Sequence, residues 1–199
     1  MNGQVEATPA RIFVGVKIAA EIARELAHLA VGLAPSSVRL VSPADIHLTL
    51  VPPWRETAVT QAAETLRGVA SRFGPFTLTL QHAGYGPNPK RPHLLWVDCA
   101  PSVEIAALRA ALLQAFGQKD ERPFRPHITF VRLRGNGAAL ARRHPIDQNL
   151  SLTQCIEAIE LFQSPPPGVR GYLALARAQL SGIAQSAENN DSSSQPGLV

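Results

Sequence analysis

A chain of 199 residues, 45% hydrophobic and 17% charged, is sized for one globular domain or two small lobes sharing a core, which excludes a fibrous or wholly disordered protein. The net charge of +4 divides into −2 on residues 184–199, which hold Glu188 and Asp191 and no Lys or Arg, and +6 on the rest. Of the 19 basic residues 16 are Arg, whose planar fork matches phosphate oxygens, so an anionic partner such as nucleic acid is expected. No apolar run nears the ~20 residues of a bilayer span, and Glu6 and Lys17 spoil the amino terminus as a signal peptide, so a cytoplasmic protein without membrane association is expected. Cys99 and Cys155 lie far apart and lack Cys-x-x-Cys spacing, which points away from a disulfide framework or a zinc site.

Residues 11–16 are β-branched and aromatic and predict a strand. Ile18, Ile22, Leu26, Leu29 and Leu33 follow at helical spacing, closed by Gly32 and Pro35. Residues 38–41 predict a short strand. A turn from Ser42 to Asp45 leads into a strand over 46–51, which Pro52 and Pro53 should stop because proline donates no ladder hydrogen bond. A helix is expected over 56–73, with Val59, Ala63, Leu66, Ala70 and Phe73 on one stripe. The strict alternation of residues 76–80 predicts a half-buried strand. Residues 84–92, rich in Gly and Pro with Lys90 and Arg91, read as a basic loop. A strand over 93–99 carries Trp96, expected in the core.

Ser102 is placed to cap a helix whose stripe is Ile105, Leu108, Leu112 and Phe116. A charged loop over 117–125 leads to a strand at 126–133. Residues 135–149 read as irregular, 155–162 as one strand, and the last strand lies near 172–180. Residues 1–183 are expected as a single domain, and 184–199, rich in Ser, Asn and Gln, as a disordered tail. Strands and helices mix without strict alternation, which predicts an α+β fold with mainly antiparallel pairing.

One pattern occurs twice, His47-Leu48-Thr49-Leu50 and His127-Ile128-Thr129-Phe130. Residues two apart in a strand share a face, so each copy presents one imidazole and one hydroxyl while its apolar residues turn to a core. With 6 His in the chain, chance would supply roughly 0.3 His-x-Thr triplets. Two such pairs facing one cleft offer two proton-transfer groups and two hydroxyl donors, a set suited to displacement at phosphorus.

These motifs resemble the two-histidine (2H) phosphoesterase superfamily. More of the chain is similar to one branch, the bacterial and archaeal RNA 2′,3′-cyclic phosphodiesterases, also called 2′-5′ RNA ligases. The similar segments are Arg11-Ile12-Phe13-Val14-Gly15-Val16, Asp45 to Leu50, Gly84-Tyr85-Gly86-Pro87 with Leu95-Trp96-Val97, and Arg122-Pro123-Phe124-Arg125-Pro126 before the second motif. The resemblance implies a bilobed fold of two pseudo-symmetric lobes, mainly antiparallel sheet with flanking helices around a central cleft. It implies hydrolysis of RNA 2′,3′-cyclic phosphate ends to 2′-phosphates, with 2′-5′ joining as a further activity of the family. By motif match His47 is the proton donor and His127 the acceptor. The chain departs from the family at Val51-Pro52-Pro53-Trp54-Arg55 and at Phe162-Gln163-Ser164, two stretches expected to border the cleft.

Histidine titrates near ~6.5 and serves as acid or base at neutral pH. Thr49 and Thr129 can donate to the non-bridging oxygens. Arg125 and Arg132 are candidate phosphate contacts, and Trp54 a candidate for base stacking. Two histidines fall short of the three protein ligands of a catalytic zinc site, and no Gly-x-Ser-x-Gly or Walker sequence occurs, so no metal and no cofactor are expected. The expected partner is RNA with a 2′,3′-cyclic phosphate end, bound by a monomer. Two other readings stay open: a phosphodiesterase for a small cyclic phosphate (a cyclic nucleotide or ADP-ribose derivative), and a non-catalytic RNA-end binding module.

Overall fold

The structure is a computed structural model that describes residues 8–34 and 36–182. In chain order its strands are β1 (Ala10–Lys17), β2 (Val38–Leu40), β3 (His47–Glu56), β4 (Phe76–Gly86), β5 (Leu94–Cys99), β6 (His127–Leu133), β7 (Asp147–Ile156), β8 (Ala158–Gln163) and β9 (Leu173–Gln179). The helices are α1 (Ala20–His28), α2 (Val59–Ala70), α3 (Val103–Ala115) and α4 (Gly137–Arg143), and a 3-10 turn spans Pro43–Asp45. The strands form one sheet in the order β7-β4-β5-β6-β3-β1-β8-β9, with β2 also paired to β6. Every pairing is antiparallel, as expected for the α+β class.

The sheet has a seam. β3 pairs with β1, and β5 with β6, along most of their lengths, whereas β3 meets β6 through the single pair Leu48↔Ile128. Two half-sheets, β7-β4-β5-β6 and β3-β1-β8-β9, therefore join between the two motif strands. Helices α2 and α3 pack on the sheet. α2 packs on β8, β9 and α3, while α3 packs on β3. Between helices and sheet lie Leu66 of α2, Leu108 and Leu112 of α3, and Leu48, Leu50, Ile128 and Phe130 of the two motif strands, all buried. Each such side chain contributes about 1.5–3 kcal/mol on burial, so the apolar residue of each motif anchors its strand.

Several sequence expectations need correction. β3 does not stop at Pro52 and Pro53 but continues to Glu56. Opposite them the register steps from Val14↔Val51 to Ile12↔Trp54, so both prolines stand against Phe13 alone in a bulge. Beyond Leu48 the other edge of β3 has no ladder partner among the described residues, so their missing N–H groups cost nothing there. β4 runs on through Gly84 to Gly86, where a loop was expected, paired with Leu94–Trp96 of β5, and a Cβ on Gly86 would lie 2.5 Å from the Trp96 ring. Glycine there marks close packing, not a turn.

The stretch 135–149 holds α4, capped by the Asn136 side chain accepting from the Ala139 N–H at 3.0 Å, and the start of β7. The single strand expected over 155–162 is two, parted at Glu157, where the chain crosses from β4's edge to β1's. α1 ends at His28, short of Leu33, and α2 spans 59–70. Ser102 caps α3 as expected, accepting from the Ile105 N–H at 3.3 Å. The tail expected from 184 lies outside the described residues.

Candidate active site

The seam pair determines how the motifs meet. Antiparallel register through Leu48↔Ile128 puts His47 across from Thr129 and Thr49 across from His127. Leu48 and Ile128 are fully buried, whereas the two histidines and two threonines are half-buried on the opposite face. All four line one cavity of about 370 Å³, together with Val41, Pro52, Pro53, Leu94, Arg122, Arg132 and Tyr172.

Each imidazole is fixed the same way. His47 Nδ1 lies 2.6 Å from the Asp45 carbonyl oxygen, and His127 Nδ1 lies 2.8 Å from the Arg125 carbonyl oxygen. A carbonyl only accepts, so Nδ1 carries the hydrogen and donates it. Nε2 then remains on each ring as the group that can take or give a proton. The two acceptors stand two residues before their histidines, so the repeat extends to backbone geometry.

The surroundings of the two rings differ. His47 sits among Phe13, with ring centroids 4.8 Å apart, Phe162 at 5.9 Å, and Tyr172, whose ring meets it edge-on at 5.1 Å. Burial in this aromatic setting pushes the His47 pKa below its ordinary value. Positive charge on Arg132 and His127 adds to the effect, and the Asp45 carbonyl and carboxylate oppose it. Tyr172 is held over the ring by its own N–H, which donates to Asp45 Oδ1 at 3.0 Å. His127 packs against Trp96 at 4.7 Å, and the Arg125 guanidinium lies over the other part of that wall, 4.7 Å from the Trp96 ring centre.

Arg132 reaches the cavity through a strand irregularity. Strict alternation from Thr129 would send it to the opposite face. The register shifts between Trp96↔Thr129 and Leu95↔Val131, leaving Phe130 extra, and the bulge turns Arg132 to the cleft.

Of the sequence candidates, His47, Thr49, His127, Thr129 and Arg132 come together. Arg125 and Trp54 do not line the cavity. The Arg125 guanidinium is engaged by Asp98 through two hydrogen bonds of 2.7 Å. Trp54 packs on Phe116 with centroids 5.0 Å apart and donates its indole N–H to Glu56 at 3.2 Å. Trp96, expected in the core, is buried but forms a wall of the His127 site.

Sequence reasoning missed Phe13, Tyr172 and the cleft position of Arg122, whose side chain is held by Asp120 at 2.8 Å. The two departures from the family pattern do border the cleft: Pro52 and Pro53 line it, and Phe162 backs His47. A larger hollow of about 610 Å³, lined by Gln154, Glu160 and Arg177, contains neither motif. Among the described residues no three His, Cys, Asp or Glu side chains group as metal ligands, and no helix is long and apolar enough to cross a membrane.

The fold is an antiparallel sheet in two halves whose seam holds two histidines and two threonines in one cleft. The model of the 2′-5′ RNA ligase superfamily matches residues 20–163, and the chain belongs to that superfamily. It is 26% identical over 137 residues to an Archaeoglobus fulgidus protein named RNA 2′,3′-cyclic phosphodiesterase, covering 66% of this chain and 77% of that one. It is 30% identical over 130 residues to the Escherichia coli protein of the same name, covering 62% and 72%. The structure of E. coli LigT complexed with 3′-AMP superposes with a TM-score of 0.69 at 27% identity, covering 87% of this chain and 99% of that one.

Proposed function

We propose that this chain hydrolyses RNA 2′,3′-cyclic phosphate ends to 2′-phosphomonoesters by two-histidine acid–base catalysis. The observation that carries the reading is the convergence of His47, Thr49, His127 and Thr129 on one face across the seam. The names of its relatives support the substrate class.

In this mechanism His127 Nε2 takes a proton from water as the water oxygen bonds to phosphorus. The bond from phosphorus to the ribose O3′ breaks, and His47 Nε2 gives that oxygen its proton. Thr49, Thr129 and Arg132 donate to the non-bridging oxygens, where negative charge is concentrated. The donor role needs His47 charged, although burial lowers its pKa. A bound phosphate anion offsets the positive charge of Arg132, so substrate binding itself favours the protonated ring. With a ribose 5′-hydroxyl in place of water the same steps run in the joining direction and leave a 2′-5′ linkage.

The superfamily name supports that second activity. Cys99 and Cys155 are unpaired, which suits a reducing compartment such as the cytoplasm.

A cavity of about 370 Å³ also accommodates a mononucleotide, which favours the small cyclic phosphate as a second reading. The test is turnover of a short RNA bearing a 2′,3′-cyclic end beside a 2′,3′-cyclic mononucleotide. A higher kcat/KM on the RNA is expected. Preference for the mononucleotide selects the second reading, and binding without turnover of either leaves a non-catalytic module.

A further inference from the structure

Arg39 and Arg132 stand directly opposite each other across the β2–β6 pair. Opposed side chains on one face of an antiparallel pair start about 5 Å apart, where two like charges repel. Arg132 lines the cleft, and so does Val41, two residues beyond Arg39; the pairing with Arg132 and the alternation from Val41 both turn Arg39 to that side, outside the cavity lining. Among the described residues neither guanidinium meets an acidic side chain, while Arg122 is held by Asp120 and Arg125 by Asp98. Two exposed cations are thus set side by side at the rim, without a protein counter-ion, next to a cavity sized for one nucleotide.

We infer that Arg39 binds a second phosphate, the phosphodiester on the 5′ side of the terminal ribose. Arg132 reaches inward to the reacting phosphate. Arg39, one strand further out, meets the next anion of the chain. Two anions relieve the repulsion between the two cations, and a mononucleotide supplies only one. Arg39 is therefore a specificity determinant that favours a polynucleotide end over a small cyclic phosphate. This rests on the cyclic phosphodiesterase reading of the cleft.

The experiment compares wild type with Arg39→Gln in binding two products, a short oligoribonucleotide ending in a 2′-phosphate and a nucleoside 2′-phosphate, at several salt concentrations. The oligoribonucleotide should bind about 5- to 10-fold more weakly to Arg39→Gln. Its log affinity should fall less steeply with log salt, by about 0.7 for one lost contact to a single strand. The mononucleotide should change less than twofold, and Arg39→Lys should restore most of the salt slope. Unchanged oligoribonucleotide binding, or equal losses on both ligands, overturns the inference. Product binding needs no turnover. A wild-type protein that fails to hydrolyse cyclic ends would sink the catalytic reading, and this measurement would still decide the role of Arg39.

Discussion

Leu48 pairs with Ile128 at the one point where the two half-sheets join, and both side chains are fully buried. Since the strands are antiparallel, the seam behaves as a local two-fold axis: what one motif presents, the other presents in reverse order. Each histidine is also tied by Nδ1 to the carbonyl two residues before it. The symmetry ends there. One ring lies among phenylalanines and a tyrosine, the other against a tryptophan with an arginine on it. Acid and base need different environments, and this asymmetry supplies them.

His47→Ala and His127→Ala should each lower kcat by roughly 10²–10⁴-fold on a cyclic phosphate. Thr49→Ala and Thr129→Ala should lose less, about 10- to 1,000-fold. The roles can be separated with an aryl phosphodiester whose leaving group departs without a proton. His47→Ala should recover much of its rate on it and His127→Ala should not; the opposite pattern would exchange the two roles. All of this should survive prolonged EDTA treatment, and activity that vanishes and returns with zinc or manganese would recast both histidines as ligands.

His47 should titrate below ~6.5 in the free protein, because burial opposes its charge. The unfolded chain takes up that proton at higher pH than the folded one, so stability is held at neutral pH. It is lost as pH falls from the unfolded value through the folded one. NMR titration of the ring should give the low value, and bound inorganic phosphate should raise it. In His47→Gln the melting temperature should fall less between pH 7 and pH 5 than in wild type. A ring titrating above its ordinary value, or one indifferent to phosphate, would contradict the proposed charging of His47 by substrate.

Much of the site was legible because its logic is local. A His-x-Thr pair in an apolar strand dictates one polar and one buried face, and the seam then needed only to place two such faces together. What stayed hidden depends on partners remote in sequence. Trp54 looked free to stack because two prolines precede it, yet those prolines lie in a bulge and the ring packs on Phe116. Arg125 looked like a phosphate contact, and only the fold brings Asp98 to it. Arg132 was selected by residue type, since the alternation that located the other candidates sends it to the wrong face until the bulge at Phe130 intervenes. Tyr172 arrives from a segment 125 positions beyond His47, held there by the Asp45 contact and by packing on Phe13.

Gly15 should be intolerant of any side chain. A Cβ there would lie 2.7 Å from the Leu48 carbonyl oxygen and 3.6 Å from His47 Cδ2. The first neighbour is backbone at the seam and cannot swing aside. Gly15→Ala should destabilise the fold by about 1–3 kcal/mol in urea unfolding and lower kcat, as the strand carrying His47 is pushed from β1. Wild-type stability with wild-type kcat would mean that β3 can shift without disturbing the histidine.

Asp98 should act on the reaction without touching the substrate. Its two oxygens hold the Arg125 guanidinium, which lies over Trp96, and the Arg125 carbonyl accepts from His127 Nδ1. Removing the carboxylate frees the residue that orients His127, while the cavity lining is unchanged. Asp98→Ala should lower kcat about 10-fold with KM within twofold, since a misplaced base slows proton transfer more than it weakens binding. Asp98→Glu should restore part of the rate, because a carboxylate can still meet the guanidinium. Arg125→Gln, which leaves the backbone carbonyl in place but breaks the same pair, should resemble Asp98→Ala, and the double variant should be no worse than either single one. Additive losses, or a rise in KM without a fall in kcat, would show that Asp98 serves the fold or the substrate directly and not the orientation of His127.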